Sequence, residues 1–375
     1  MGAGATPLKI GRALRVALLT SARTWRGSGV SLAHIAQGLA ERGHLPHLLA
    51  GEVPVVEAFA GLGLPTVKVA TAKTGLSEAL VLARTLQGIQ ADALVVDRPR
   101  DLRLGALASL IRPVAIVNRY NLSRENPPPD LISRLAYQKV RLTIFLSQTS
   151  ARNALSRAQY LARRPHRIIA GGVDPTRFRP DPESGERFRR QHGLERTPFV
   201  VAVGALGWDK RYDFLLRSLA QLGGTPPALV ICGTGSLADK LRIWARELSL
   251  DVRLVGQLQP DELRGAYNAA ECMVHAGAIE TFGLSVLEAM ACGRAVVAVN
   301  AGAVPEVLGN AGVIVPPEDS LAFAAAVQRL LAEPALNEKL GEQARQRAIH
   351  SFSLDEMRRS YSDAIESVCY PLRPN

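Results

Sequence analysis

Two glutamates, Glu280 and Glu288, bracket a strand-to-helix turn in the stretch ECMVHAGAIETFGLSVLE, residues 271–288. An apolar run of Cys272, Met273 and Val274 suits a buried strand. After a loop at 276–281 comes a helical pattern with Leu284, Leu287 and Met290 on one face. Gly283 opens that helix and Gly293 closes it. The amides of Phe282, Gly283, Leu284 and Ser285 are then the unpaired donors of a helix N-terminus, a site for a phosphate or another anion. A carboxylate beside that anion would repel it, so each glutamate is better placed to accept hydrogen bonds from hydroxyls. The pair points to a ligand carrying both phosphate and sugar. The plainer alternative is a strand–loop–helix unit of any open α/β sheet with two solvated glutamates.

A sheet must hold that turn. Apolar runs at 199–203, 229–232, 252–255, 296–299 and 313–315 read as short strands, with helices at 321–331 and 337–349 among those that cover them. After the first of these comes GALGWDKRYD, which places Lys210 and Arg211 in a loop. Gly233 and Gly235 follow the second and allow backbone to approach a nucleotide, a weak signal alone. His275 ends the strand before the glutamate loop and reads as a structural residue.

The first half shows the same alternation. A strand at 14–20 leads through SARTWRGSG to a helix at 30–42, whose buried face is Leu32, Ile35, Ala36 and Leu39. Gly27 and Gly29 suit a loop that lets backbone approach a ligand, although GxGxxG is absent and a purely structural turn is the alternative. Strands at 94–96, 114–117 and 142–146 alternate with helices at 102–111 and 131–140, which implies a parallel sheet covered on both faces. Asn118, Arg119 and Tyr120 lie at a strand's carboxyl end, where such folds bind ligands. The segment 125–130, ENPPPD, is a stiff loop assigned to the acceptor side, and the tail 1–11 reads as loose.

The 375 residues suit two domains, and 47% hydrophobic content supplies two cores. The cysteines Cys232, Cys272, Cys292 and Cys369 form no CxxC, which fits buried thiols in a reducing cytosol and no structural zinc. Neither a signal-peptide layout nor an apolar run of about 18 residues occurs, so the expectation is a cytoplasmic protein, soluble or peripheral on the inner face of the membrane. With 45 basic and 34 acidic residues the net charge is +11, which favours anionic partners. The stretch SARNALSRAQYLARRPHR reads as a basic amphipathic helix, for an anionic membrane surface or for plain solvation. With 5% aromatics and no recognised motif, nucleic acid is not expected.

The run ETFGLSVLEAMACGRAVVAVNAGAVPEVL closely resembles the donor-site signature of retaining glycosyltransferases of GT-B fold, family 4. Glu280 and Glu288 stand at its paired positions and Glu306 at a later one, with Thr281 and Arg294-Ala295 as small departures. RIIAGGVDPTRFRP, 167–180, resembles the family's passage between domains, with the charged stretch 181–196 as linker. The resemblance implies an α/β, GT-B architecture of two Rossmann-like doubly wound parallel-sheet domains facing a cleft. Residues 1–180 are expected on the acceptor side and 181–352 on the nucleotide-sugar side, with the last helix, within 353–375, packing back onto the first domain. It also implies catalytic roles for Glu280, Lys210 and Asn118, and donor binding by Glu288, the Phe282, Gly283, Leu284 and Ser285 amides, Arg211, Gly233, Gly27 and Gly29. Glu288 would accept from ribose hydroxyls, Glu280 from the donor sugar, while Lys210 holds the diphosphate. No metal and no cofactor beyond a UDP- or GDP-sugar co-substrate is implied, and no Asp-x-Asp occurs in a suitable loop.

Two departures bear on chemistry. Asn118 replaces a common His, and Ala205 replaces an Arg that neutralises diphosphate, with Arg211 as a substitute or as a solvent-facing side chain. The expected activity is sugar transfer to a glycan, lipid-linked or small-molecule acceptor in bacterial cell-surface polysaccharide or glycoconjugate synthesis. The alternatives are a weakened subunit that binds nucleotide sugar or a partner enzyme without turnover, and a sugar-nucleotide epimerase, which the glutamate pair does not support.

Overall fold

The computed structural model describes residues 12–25, 27–121 and 131–370. The tail 1–11 and the Pro-rich segment 125–130 lie outside the described residues. The chain divides into two compact units, one of Met1–Leu146, Ala151–Ile169 and Asp355–Asn375, the other of Ser147–Ser150 and Ala170–Leu354.

The first unit holds β1 (Arg15–Thr20), β2 (Leu45–Ala50), β3 (Thr66–Lys68), β4 (Ala93–Val96), β5 (Ala115–Tyr120), β6 (Val140–Phe145) and β7 (His166–Ile168). They form one sheet in the order β3-β2-β1-β4-β5-β6-β7, with every pair parallel. Continuous apolar runs such as β4, buried at all its positions, are what two helical layers demand of a parallel strand. The helix Leu354–Cys369 contributes its residues from Asp355 onward to this unit. Gly38 makes room for it, since a Cβ there would stand 2.5 Å from the Cβ of Arg358. Arg358 pairs with Glu41 at 3.0 Å, and Glu366 takes both Arg42 at 3.1 Å and His44 at 2.9 Å.

The basic stretch folds as two helices, Gln148–Arg157 and Gln159–Ala162. Ala151, Ala154, Ala158 and Leu161 are buried in the core of the first unit, with Leu155 against it. Arg152, Arg157 and Arg163 stay exposed. The apolar half of that amphipathic face is therefore already covered by protein.

The second unit holds β8 (Phe199–Val203), β9 (Ala228–Cys232), β10 (Val252–Gly256), β11 (Met273–His275), β12 (Val296–Val299) and β13 (Val313–Val315). These are again all parallel, in the order β10-β9-β8-β11-β12-β13. Two details differ from expectation. The stretch 181–196 is no plain linker: Pro182–Gln191 is a helix, started by the Asp181 carboxylate, which accepts from the Ser184 amide at 3.1 Å. Its charge is a solvent-facing pattern around buried Phe188. The second unit also starts before residue 181, because Gly171 packs against Phe282 and Val173 bridges to Ser353.

Candidate functional site

From β8 the second sheet grows through β9 to β10 on one side, and from β11 it grows through β12 to β13 on the other. The chain order therefore reverses between β8 and β11, the switch point at which a doubly wound sheet binds ligands. Lys210 comes from the loop after β8 and Glu280 from the loop after β11. Lys210 Nζ lies 2.6 Å from Glu280 Oε2, and both side chains are mostly covered.

Three loops fix that pair. Trp208–Lys210 is a single 3₁₀ turn, and Arg211 follows in the left-handed region to start the helix Tyr212–Leu219. The Ala278 amide donates to the Asp209 carbonyl at 3.0 Å, tying the two loops together. After β12, Gly302 has φ +57°, and a Cβ there would fall 2.4 Å from the Glu280 carbonyl oxygen. The Ala303 amide donates to the same oxygen at 2.9 Å. Burial pushes the Glu280 carboxyl up, but Lys210, then His275 and the Phe282 amide outweigh it, so the group lies below its usual range and is ionised.

The helix Leu284–Ala291 follows, entered through Gly283 at φ +94°. The Phe282 ring packs on Gly171 and Phe352, and its amide helps to hold the Glu280 carboxyl low. The first-turn amides of Leu284 and Ser285 have no partner within the helix, as at every helix start. Glu288 points to Tyr267, whose hydroxyl donates to Oε2 at 3.0 Å. Burial pushes its pKa up to about 7, against Tyr267 and the positive charge of Arg177. Neither glutamate is a solvated surface residue. The two glutamates differ: one carboxylate is paired with a lysine and held low, and burial pushes the other up to about 7.

Other expected residues are differently employed. Arg211 is spent on carboxylates: its guanidinium pairs with Asp213 at 3.2 Å and with Glu318. Its charge thus faces two carboxylates. Gly233 serves the backbone: at φ +155° a Cβ would fall 1.9 Å from the Gly204 carbonyl oxygen, where the ends of β8 and β9 approach. In the first unit, Asn118 is buried in β5, with its amide 3.4 Å from the Tyr137 hydroxyl. Gly27 and Gly29 are not a loop but the first turn of the helix Gly27–Glu41. Gly29 gives way to the Trp25 ring, which would lie 3.0 Å from a Cβ at that position. Glu306 accepts from the Gln148 and Thr149 amides at 2.8 and 3.0 Å, in a segment that belongs to the second unit.

Sequence reasoning passed over Tyr267 and Gly302. Tyr267 lies in an amphipathic helix, Pro260–Ala269, where an aromatic reads as core. Gly302 stands in an alanine-rich run that gives no hint of the Glu280 carbonyl.

Two family profiles match the chain: that of Glycosyltransferase Family 4 over residues 25–177, and that of Glycosyl transferases group 1 over residues 184–347. The chain belongs to glycosyltransferase family 4. Its two parallel-sheet units are the GT-B fold. This family 4 chain is 36% identical over 193 residues to the D-inositol 3-phosphate glycosyltransferase of Corynebacterium jeikeium, covering 48% of this chain and 46% of that protein. It is 33% identical over 194 residues to a GDP-mannose-dependent alpha-(1-6)-phosphatidylinositol monomannoside mannosyltransferase of Mycolicibacterium smegmatis, covering 48% and 51%. The chain thus spans about half the length of the curated relatives it matches. Among solved structures, Anabaena HepE in complex with UDP and glucose superposes with a TM-score of 0.82 at 19% identity, over 94% of this chain and 100% of that one. The sucrose-phosphate synthase of Thermosynechococcus elongatus gives 0.80 at 20%, over 95% and 99%.

Proposed function

We propose that this chain transfers a sugar, with retention at the anomeric carbon, from a UDP- or GDP-sugar to a hydroxyl of a glycan, lipid-linked or small polyol acceptor. The observation that carries the proposal is the Lys210–Glu280 pair at the reversal of the second sheet, beside the start of the helix Leu284–Ala291. As the glycosidic bond breaks, the nucleoside diphosphate gains negative charge. Lys210 and the Leu284 and Ser285 amides meet that charge. Glu280, kept ionised, accepts from hydroxyls of the donor sugar. Glu288 accepts from the ribose, and its proton leaves as those hydroxyls bind. The relatives named above act with GDP-mannose or on inositol phosphate, and HepE holds UDP, which supports these donor and acceptor classes.

A second reading has an observation of its own. Ala205 carries no charge and Arg211 is held by Asp213 and Glu318, so Lys210 is left with less help than the family pattern supplies. That favours a subunit which binds the nucleotide sugar and turns it over weakly or not at all.

The test is a thermal-shift screen with UDP, GDP and ADP, followed by incubation with the matching nucleotide sugars. Stabilisation by one diphosphate with release of that diphosphate from its sugar supports the transferase. Stabilisation without release at high protein concentration supports the second reading. No stabilisation by any of them refutes both.

A further inference from the structure

His275 closes β11 and is buried, yet its Nε2 has no hydrogen-bond partner. That atom lies 3.9 Å from Glu280 Oε2, just beyond hydrogen-bond reach of the oxygen that Lys210 already holds at 2.6 Å. The loop is built to keep the ring there. Gly277 folds over it so closely that a Cβ would stand 2.9 Å from Nε2, and the next amide, of Ala278, is tied to Asp209. A buried polar atom left unsatisfied costs stability, so its persistence beside a functional carboxylate calls for a use. Burial first, and then the Lys210 charge, push the imidazole down to about 4, so at neutral pH it is uncharged and carries one N–H.

Lys210 has two claimants in the transferase reading, on which this inference rests. In the free protein its ammonium is bound to Glu280. An arriving diphosphate carries more negative charge than one carboxylate and draws the ammonium towards itself. Glu280 would then be a covered carboxylate stripped of its cation, which is costly. We propose that His275 is a positioning residue that takes over Glu280 Oε2 when Lys210 turns to the diphosphate: its Nε2–H closes the gap and donates, keeping the carboxylate fixed for the sugar hydroxyls. A neutral donor suits this exchange, because a second cation beside Glu280 would compete for those hydroxyls' acceptor.

The hand-over makes a prediction that needs no substrate. While Lys210 holds Glu280, loss of the His275 donor matters little; without Lys210, His275 is the remaining donor at Oε2. In the full chain, His275→Phe should lower Tm by under about 2 °C alone but by about 6 °C or more in the Lys210→Ala background, and His275→Gln should stay near its parent in both. With the nucleotide sugar found by the donor screen, His275→Phe should lower kcat roughly tenfold with KM within about threefold, and His275→Gln should recover most of it. Additive melting shifts, an unchanged kcat in His275→Phe, or a Gln variant no better than Phe would each overturn the hand-over alone. Should no nucleoside diphosphate bind the wild-type chain, the transferase reading falls and the hand-over falls with it, whatever the melting cycle gives.

Discussion

Replacing Glu288 by glutamine separates what that residue does for the fold from what it does for a ligand. In the folded chain burial lifts its carboxyl from 4.5 to about 7. The folded state therefore binds more protons than the unfolded chain between those two values, and stability falls as pH rises through that window. At about 1.4 kcal/mol per pH unit, ionising Glu288 in its covered position costs roughly 3 kcal/mol above pH 7. Glutamine keeps an oxygen for the Tyr267 hydroxyl, which stands 3.0 Å away, and carries no charge to desolvate. Glu288→Gln should therefore be more stable than the wild type at pH 8 by about 3 kcal/mol, roughly 6–12 °C in Tm for a domain of this size. At pH 4.5 the difference should nearly vanish. The same change should weaken UDP or GDP binding by roughly 10- to 100-fold, because hydrogen bonds to a charged acceptor contribute about 1.5–3 kcal/mol. Scanning calorimetry at the two pH values and titration calorimetry with the diphosphates read both effects. A variant less stable than wild type at pH 8, or a Tm difference that is equal at both pH values, would refute the reasoning.

Lys210→Ala should lower turnover by about 100- to 1,000-fold, near 2.7–4 kcal/mol, while weakening donor affinity far less, which steady-state kinetics separates. Gly302→Ala combines φ +57° with a Cβ only 2.4 Å from the Glu280 carbonyl, so it should cost about 2 kcal/mol or more and displace Glu280; denaturant midpoint and diphosphate binding should fall together. Asp181→Ala removes the cap of the helix Pro182–Gln191 and should cost about 1 kcal/mol by urea unfolding, leaving diphosphate affinity unchanged. Asp101→Asn should stabilise the chain above pH 7, because burial holds that carboxyl at about 7 and its stability contribution falls as pH rises from 3.8; a pH-independent effect would contradict this.

The strands of the second sheet and β1, β4, β5 and β6 of the first were legible in advance because a parallel strand covered on both faces must be apolar throughout, and runs such as Val296–Val299 have no other use; β2, β3 and β7 were not read, and β3 and β7 are short and little buried. Helix starts were read less well. The helix Gly27–Glu41 begins earlier than expected, since Gly-Ser-Gly reads as a loop while Trp25 packs where a Cβ would be. The helix Pro182–Gln191 passed for a linker because most of its residues are charged and the only large side chain it buries is Phe188. Its start, Asp-Pro-Glu, carried the cap signal all along.

By itself the sequence determined that two doubly wound halves form and singled out the turn between Glu280 and Glu288, because periodicity, glycine positions and residue type are local properties. Only the tertiary structure decided what each charge is for. Lys210 comes from a loop 70 residues before Glu280, Arg211 is claimed by Glu318 107 residues on, and Tyr267 covers Glu288 from a neighbouring helix. Ionisation depends on burial and on the nearest opposite charge, and both are set by how strands are ordered in the sheet rather than by spacing along the chain. The reversal between β8 and β11 brings Lys210 to Glu280, and that meeting holds one carboxyl low while burial pushes the other up to about 7.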